Sequence, residues 1–124
     1  MSVPLHFVAP PLGFSEFVDF SLNDVEGAEG LYTLRADRDA AVRLFVIDAA
    51  IHLPHYLPVL SDEQGATIGL TSADDASVLV VVNPTDDVTT VNLLAPIVLN
   101  TKTGSTSQFI LDDTSWSVRE PLRA

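Results

Sequence analysis

Short runs of Val, Ile, Leu, Phe and Thr alternate with polar turns along most of this chain. Such runs are typical of β-strands, because β-branched and aromatic side chains pack well on a pleated, half-buried surface. An early strand is predicted over residues 14–22, where Phe20 and Leu22 alternate with Ser21. The other predicted strands cover residues 31–35, 42–47, 77–82, 88–94, 97–99 and 107–111.

Two polar segments have the composition of tight turns between antiparallel strands. Gly104 stands where the hairpin loop at residues 100–104 needs a residue with positive φ. Residues 83–87 make a similar turn between two predicted strands. Pro96 predicts a bend after residue 94, because proline cannot donate a hydrogen bond to a strand ladder.

Two helix starts interrupt the strand pattern. Ser61 and Gln64 fit a capping box, in which the serine caps the first turn and the glutamine reaches back to it. Ser72 begins a second signal of the same kind. Both helices must be short, because Gly65 and Gly69 lie in the first and a predicted strand follows the second.

One folded unit accounts for the whole sequence. A chain of 124 residues is long enough to bury roughly two thirds of the surface that its unfolded form exposes. It has no repeat, low-complexity tract or linker that would divide it. We predict a mainly β fold: a small antiparallel β-barrel-like single domain over residues 1–124 with one or two short helices, closed or nearly closed to hide its strand edges.

The chain is strongly acidic. It has 17 Asp and Glu residues against 6 Lys and Arg, which gives a formal net charge of -11. Proteins bind nucleic acid largely through Lys and Arg that neutralise phosphates, so direct binding to nucleic acid is disfavoured and a basic partner protein is favoured. An equally good explanation is that the charge keeps the protein soluble and monomeric.

Disulfides and targeting signals are not expected. The sequence has no cysteine, which excludes a thiolate metal site and a cysteine nucleophile. Its N-terminal apolar stretch lacks a basic region and is interrupted by Pro4, Pro10 and Pro11, which is unlike a signal peptide or an anchor. The longest aliphatic run, residues 78–82, is far shorter than the ~20 residues of a membrane-spanning helix. We therefore expect a cytoplasmic protein with no membrane partner.

Signatures of catalysis are missing from the sequence. It has no phosphate-binding glycine loop, no Gly-x-Ser-x-Gly elbow and no His-Glu-x-x-His pair. His52 and His55 have a spacing that metal ligands can have, but Pro54 predicts an extended segment that would separate the two imidazoles. We expect these histidines on a surface loop, or one of them half-buried and hydrogen-bonded to a neighbour. We expect no cofactor and no enzymatic activity.

Paired aspartates recur at predicted turns and helix starts. They lack the glycine and the closing glutamate of a calcium-binding loop, and Asp commonly caps backbone amides at such places. We therefore interpret them as turn caps. The pairs are Asp37 and Asp39, Asp74 and Asp75, Asp86 and Asp87, and Asp112 and Asp113.

A series of motifs runs in one order along nearly the whole chain. It includes a Leu-Gly-Phe segment at residues 12–14, Tyr56 in a proline-bounded loop, and Asn92, which precedes Leu-Leu-Ala-Pro inside an apolar stretch. Further segments are residues 45–48, 68–70, 72–76, 108–112 and 119–122. Together these motifs resemble the FliW family of flagellar assembly factors.

The resemblance implies a non-enzymatic, cytoplasmic protein that binds two proteins in alternation. One is flagellin, and the other is CsrA, a small basic RNA-binding dimer that represses translation of flagellin mRNA. In that family, free FliW binds CsrA and relieves the repression, whereas unexported flagellin occupies FliW and restores it. Ala49, Trp116 and the short loop at residues 83–87 depart from the family's pattern, which concerns the partner surface rather than the fold.

Seven residues are predicted to contact a partner. Tyr56 is the expected aromatic anchor, and each of the seven also has a structural explanation: Tyr56 as a loop plug over the barrel end, Asn92 as a buried latch, and the aspartates as turn caps. Asp86 and Asp87 are included on electrostatic grounds alone. The residues at family motif positions are Asp48, Tyr56, Asn92, Asp112 and Asp113.

Two other functions stay open at this point. A flagellin-specific chaperone would have the same fold without CsrA antagonism. An acidic β-barrel that carries a small ligand would need a sizeable pocket with converging polar groups, which the sequence does not indicate.

Overall fold

The computed structural model describes residues 2–11, 14, 16–84, 87–113 and 115–122, with residue 40 described by its backbone alone. Among these residues, no helix is long and apolar enough to cross a lipid bilayer. The helices are α1 (Ala49–His52) and α2 (Asp62–Thr67), and a 3-10 turn covers Ala73–Asp75. The strands are β1 (Ser2–Phe7), β2 (Asp19–Asp24), β3 (Leu31–Ala36), β4 (Asp39–Asp48), β5 (Ala76–Asn83), β6 (Thr90–Val91), β7 (Ile97–Asn100), β8 (Ser105–Gln108) and β9 (Glu120–Pro121).

Seven of the strands close into a barrel. Their order is β4-β3-β2-β1-β8-β7-β5, and β5 pairs with β4 to complete the ring. Neighbours are antiparallel except β1 and β8, which form a short parallel pair. Outside the ring, β6 pairs with the end of β5, and β9 pairs with β6. The predicted mainly β, barrel-like fold with short helices is confirmed.

Alternation along the strands fills the barrel with apolar side chains. In β5, Leu79 and Val81 point into the barrel while Val80 points outward, as the two-residue period of a strand requires. The rings of Phe7 and Phe20 meet edge to face inside, with centroids 5.2 Å apart. The buried interior residues are Leu5, Phe7, Phe20, Leu22, Leu34, Ala36, Val46, Leu79, Ile97 and Leu99. Each such side chain contributes about 1.5–3 kcal/mol when it leaves water.

One side of the barrel is also covered on the outside. On the outer face of β4 and β5, Ile47, Val80 and Val82 pack beneath α1, the loop after it, β6 and the C-terminal segment. The covering side chains are Ala49, Tyr56, Val91 and Leu93, with Trp116 and Leu122 against them. Next to this layer, Ile68 after α2 covers Val98 and Phe109. Because loops pack on this side, it is where side chains outside the sheet can be positioned for binding.

The sequence analysis predicted no strand before residue 14. This is wrong, because β1 covers Ser2–Phe7. Pro4 is tolerated there for a geometric reason. The N–H of His6 donates to the Gly104 carbonyl on the β8 side, so position 4, two residues earlier, directs its missing N–H to the same side and away from β2. Pro4 therefore removes no hydrogen bond from the β1–β2 ladder.

Three predicted strands differ in extent. The early strand begins at Asp19 rather than residue 14, because the N–H of Phe17 donates to the Phe14 carbonyl in a turn. The strand predicted at residues 88–94 is only Thr90–Val91, since Asn92 turns the chain. The strand predicted at residues 107–111 is Ser105–Gln108.

The helix starts at Ser61 and Ser72 were predicted, whereas α1, which Asp48 caps, was not. Gln64 N–H donates to Ser61 Oγ at 3.1 Å and Ser61 N–H donates to Gln64 Oε1 at 2.9 Å, which is the predicted capping box. Ser72 Oγ accepts the N–H of Asp74 at 3.2 Å, and the segment it caps is a single 3-10 turn. These bonds are formed by near neighbours, so they do not depend on the rest of the fold.

Replacing Gly104 with alanine should destabilise the protein by about 1–3 kcal/mol. Gly104 has a φ of +83°, as predicted, and a Cβ there would lie 3.2 Å from the carbonyl oxygen of Pro4 at the β1–β8 seam. Gly65→Ala is the matched control, because Gly65 lies inside α2 with open space around a Cβ and should gain about 0.5–1 kcal/mol. Thermal unfolding compares the two, and equal melting temperatures would show that position 104 has no need of glycine.

Candidate functional site

The loop at residues 53–60 is held at one end of the covered side of the barrel. It follows α1, which is capped by Asp48: the N–H of Ala50 donates to Asp48 Oδ1 at 2.9 Å. The N–H of Leu53 donates to the Ala49 carbonyl at 2.8 Å, and that of Tyr56 donates to the Leu53 carbonyl at 2.9 Å. The first half of the loop is therefore fixed by its own backbone before any partner arrives.

Tyr56 closes this half of the loop against the protein. Its ring is 8% exposed, and its hydroxyl donates to the Leu93 carbonyl oxygen at 2.5 Å. The ring meets Trp116 edge to face, with centroids 4.9 Å apart. Tyr56 is therefore buried rather than exposed, because its ring fills the outer apolar layer, and its predicted contact with a partner stays a prediction. Tyr56 has the geometry of the loop plug that was the alternative explanation.

Burial of the Tyr56 hydroxyl predicts that the stability of the protein depends on pH. Burial raises the pKa of Tyr56 from 10.0 to about 12. Above about pH 10 the unfolded chain begins to lose the phenolic proton, while the folded protein still keeps it. The stability that the protonated Tyr56 contributes is therefore full below about pH 10 and is lost as pH rises to about 12.

Tyr56→Phe should remove that part of the alkaline loss of stability. Urea unfolding at about pH 8 and about pH 11 measures it as the difference between wild type and variant. Wild type should lose more free energy of unfolding than Tyr56→Phe between the two values. Equal losses would contradict a buried, proton-donating hydroxyl.

Asn92 fixes the chain segment that receives the Tyr56 hydroxyl. Its Oδ1 accepts the N–H of Leu94 at 3.1 Å and that of Ala95 at 3.2 Å, and the side chain is half-buried. Its own N–H donates to the Val81 carbonyl at 3.0 Å. Asn92 is therefore committed to backbone groups on the turn, and a role for it in partner binding stays a prediction.

The second half of the loop exposes two apolar side chains. Leu57 is 74% exposed and Val59 is 83% exposed. They line a cleft of about 290 Å³ with Asp112, Asp113, Trp116, Ser61 and Leu111, which we call the acidic cleft. Exposed leucine and valine side chains beside two carboxylates form a surface that suits a partner with apolar and basic groups.

Asp113 keeps its negative charge in the acidic cleft over a wide pH range. The hydroxyl of Ser115 donates to Asp113 Oδ1 at 2.6 Å and the N–H of Ser115 donates at 3.0 Å. These hydrogen bonds lower the pKa of Asp113, the side-chain bond more than the backbone bond. The predicted turn-capping role of this aspartate is confirmed, and its exposure leaves it accessible to a partner as well.

Asp48 lies on the other side of Leu57. A second cleft, of about 380 Å³, is lined by Asp48, Leu57, Pro54 and Ser77 among others. Burial raises the pKa of Tyr32, and the carboxylates of Asp48 and Asp24 raise it further. Carboxylates therefore lie in the clefts on both sides of Leu57, Asp48 in one and Asp112 and Asp113 in the other.

The structure does not bring every predicted residue to this loop. Asp87 is exposed and follows β5, which ends at Asn83. Asp48 pairs with Leu79 of the same strand. The end of β5 that precedes Asp87 is therefore four residues, or ~13 Å, from the position of Asp48. Asp86 lies outside the described residues.

Leu57 and Val59 were not among the predicted contacts. Their signal in the sequence is an apolar alternation inside a proline-bounded loop that has no partner strand. The pattern alone cannot distinguish such a loop from a short buried strand.

The two histidines lie in different local structures. The segment predicted to be extended begins in α1, so His52 is helical, and its Nε2 lies 2.8 Å from the Glu29 carbonyl oxygen. His55 follows in a turn. No group of three or more His, Cys, Asp or Glu side chains in the described part of the chain has the arrangement of a metal site.

Comparison with known proteins gives one consistent result. The family model described as FliW protein matches residues 2–122. A flagellar assembly factor FliW from Leptospira biflexa is 33% identical over 121 residues, which cover 95% of this chain and 79% of that protein. One from Bdellovibrio bacteriovorus is 30% identical over 120 residues, which cover 95% of this chain and 69% of that protein.

A solved structure agrees with the sequence matches. The crystal structure of a flagellar assembly factor FliW superposes with a TM-score of 0.88 at 26% identity, covering 98% of this chain and 86% of that one. The family model, the sequence relatives and this superposition therefore agree. This chain belongs to the FliW family of flagellar assembly factors.

Proposed function

We propose that this protein assists flagellar assembly by binding two proteins in turn, flagellin and a CsrA-type translational repressor. When free of flagellin, it binds the repressor and relieves repression of flagellin mRNA; when unexported flagellin occupies it, repression returns. It acts by binding, as one FliW-like domain in the cytoplasm, without a cofactor and without direct contact to nucleic acid or membrane. Its proposed working state is a monomer.

The observation that carries this proposal is the acidic cleft. Leu57 and Val59 are exposed directly after Tyr56, which is held in place with the first half of the loop. Binding there orders few additional groups, so less of the interaction energy is lost to conformational entropy. Asp112 and Asp113 beside the two apolar side chains suit a partner segment that carries Lys or Arg next to apolar residues.

The net charge of -11 adds long-range attraction to a basic RNA-binding protein. Such attraction raises the association rate at low salt and is screened as ionic strength rises. Flagellin binding, if it depends mainly on Leu57 and Val59, should respond less to salt.

Calorimetric titrations with the host's flagellin and, separately, its CsrA-type protein test the proposal. We expect dissociation constants of about 1 µM or tighter for both, and weaker repressor binding at about 0.5 M salt than at about 0.05 M salt. Binding to flagellin alone would reduce the function to that of a flagellin chaperone. Binding to neither would contradict the proposal.

A further inference from the structure

Three of the six cationic side chains lie on one hairpin of this acidic chain. Arg35 is on β3, Arg38 is in the turn, and Arg43 is on β4. Arg35 lies between Leu34 and Ala36, which point into the barrel, and Arg43 lies between Val42 and Leu44, which pack against the same interior. Both arginines therefore point outward from the β3–β4 wall.

An irregularity in β4 sets the two arginines opposite each other. Ala36 pairs with Asp39, but the next pair is Arg35 with Arg43, so extra residues bulge from β4 between these pairs. The bulge is stabilised by the N–H of Ala41, which donates to Asp39 Oδ1 at 3.0 Å. In unbroken register residue 40 would face Arg35. Bulges of this kind redirect a side chain, here Arg43.

This arrangement leaves positive charge without compensation from the described residues. Like charges directly opposite in an antiparallel pair are unfavourable. No carboxylate of the described residues forms an ion pair with Arg35 or Arg43; the pairs seen are His6 with Asp19 and Lys102 with Asp75. On the same hairpin, Asp37 accepts the Ser21 hydroxyl at 2.6 Å. Arg35 Nε is buried and has no hydrogen-bond partner among the described residues.

We propose that the outward face of the β3–β4 hairpin binds a carboxylate of an acidic protein segment between the guanidinium groups of Arg35 and Arg43. Guanidinium donors match the two oxygens of a carboxylate. One such group relieves the repulsion between the arginines, and the charge it brings also partly compensates the Nε–H dipole of Arg35, which is unpaired among the described residues. Phe45, half-buried and two residues along β4 on the same face, offers an apolar contact beside it.

An acidic peptide fits this surface better than RNA or a second copy of the chain. A nucleic acid is held by many phosphate contacts, and three arginines supply few. A symmetric dimer through this face would set arginines against arginines. The residues that line the acidic cleft all lie outside the β3–β4 hairpin, and Arg43 is five residues, or ~17 Å, along β4 from Asp48 of the second cleft. The surface is therefore separate from both clefts.

The test uses the whole chain and a fluorescein-labelled hexaglutamate peptide, followed by fluorescence anisotropy. We expect saturable binding that weakens as salt rises from about 0.05 M to about 0.3 M. Arg43→Gln should weaken it about tenfold, as expected for the loss of a charge-assisted contact. Arg119→Gln, which removes the same charge from an exposed position on the C-terminal segment, should change the affinity less than about twofold.

Two further readouts separate this proposal from general damage. Arg43→Gln should raise the melting temperature by about 1–3 °C, because it removes a repulsion. In wild-type protein labelled with ¹⁵N, the Nε–Hε resonance of Arg35 should shift when the peptide is added. The proposal is overturned by absence of saturable peptide binding, by equal affinities for the two variants, or by tighter binding of an oligouridine than of the peptide. None of these outcomes depends on flagellin or the repressor.

Discussion

Tyr56→Ala should lower the free energy of unfolding by about 3–5 kcal/mol, the usual cost of deleting a buried aromatic side chain. The change removes the hydrogen bond to the Leu93 carbonyl and the edge-to-face contact with Trp116. It also leaves a cavity over the outer face of β5, where Val80 and Val82 lie. Urea unfolding followed by circular dichroism measures the loss.

Leu57→Ala is the control for this prediction, because it truncates the next residue of the same loop. Leu57 is largely exposed, so its truncation should change stability by less than about 0.5 kcal/mol. A similar cost for both variants, or a loss below about 1 kcal/mol for Tyr56→Ala, would contradict the assignment of Tyr56 as the plug and Leu57 as free surface.

The second large effect concerns binding. Leu57→Ser combined with Val59→Ser should weaken the affinity for any partner that uses the acidic cleft by about a hundredfold. That corresponds to about 3 kcal/mol, as expected when two apolar side chains no longer bury their surface on association. Titration calorimetry with flagellin and with the CsrA-type protein measures the loss for each.

Val8→Ser serves as the matched control for binding. Val8 is 42% exposed, and it follows β1, outside the residues that line the clefts around the 53–60 loop. It should bind both partners as wild type does. If the double variant keeps its thermal stability and its wild-type affinity for both partners, the cleft is not the binding surface.

The sequence predicts those parts of the fold that near neighbours determine. Alternation along β5 and the capping box of Ser61 and Gln64 involve residues at most a few positions apart. Gly104 is of the same kind, because its φ of +83° belongs to a short turn. Such features survive in almost any tertiary context, which is why their predictions are confirmed.

Apart from α1, whose four residues are too few for a periodic pattern, the parts that were missed depend on distant partners. β1 is stabilised by β2 and by β8, which is about a hundred residues later in the chain. Pro4 argues against a strand until the structure shows that its missing N–H would not face β2. Tyr56 presented the same difficulty. Its acceptor, Leu93, is 37 positions away, so the sequence could name the residue but could not place it inside.

Exposure was equally hard to predict in the acidic cleft. Leu57 and Val59 differ from core residues only in that no strand or helix covers them. The Asp112 and Asp113 prediction is closer to the structure, because turn-capping aspartates are on the surface by their nature. A hydrophobic pattern predicts that a residue is buried. It is therefore misleading at a functional surface whose exposed side chains are apolar.

Partner exchange is the central claim, and a competition titration tests it most directly. The protein is first saturated with the CsrA-type repressor, flagellin is then added, and the species are separated by size-exclusion chromatography with light scattering. We predict that flagellin displaces the repressor, so that a flagellin complex and free repressor appear. A stable complex that contains all three proteins, or a repressor complex that excess flagellin leaves intact, would contradict the account.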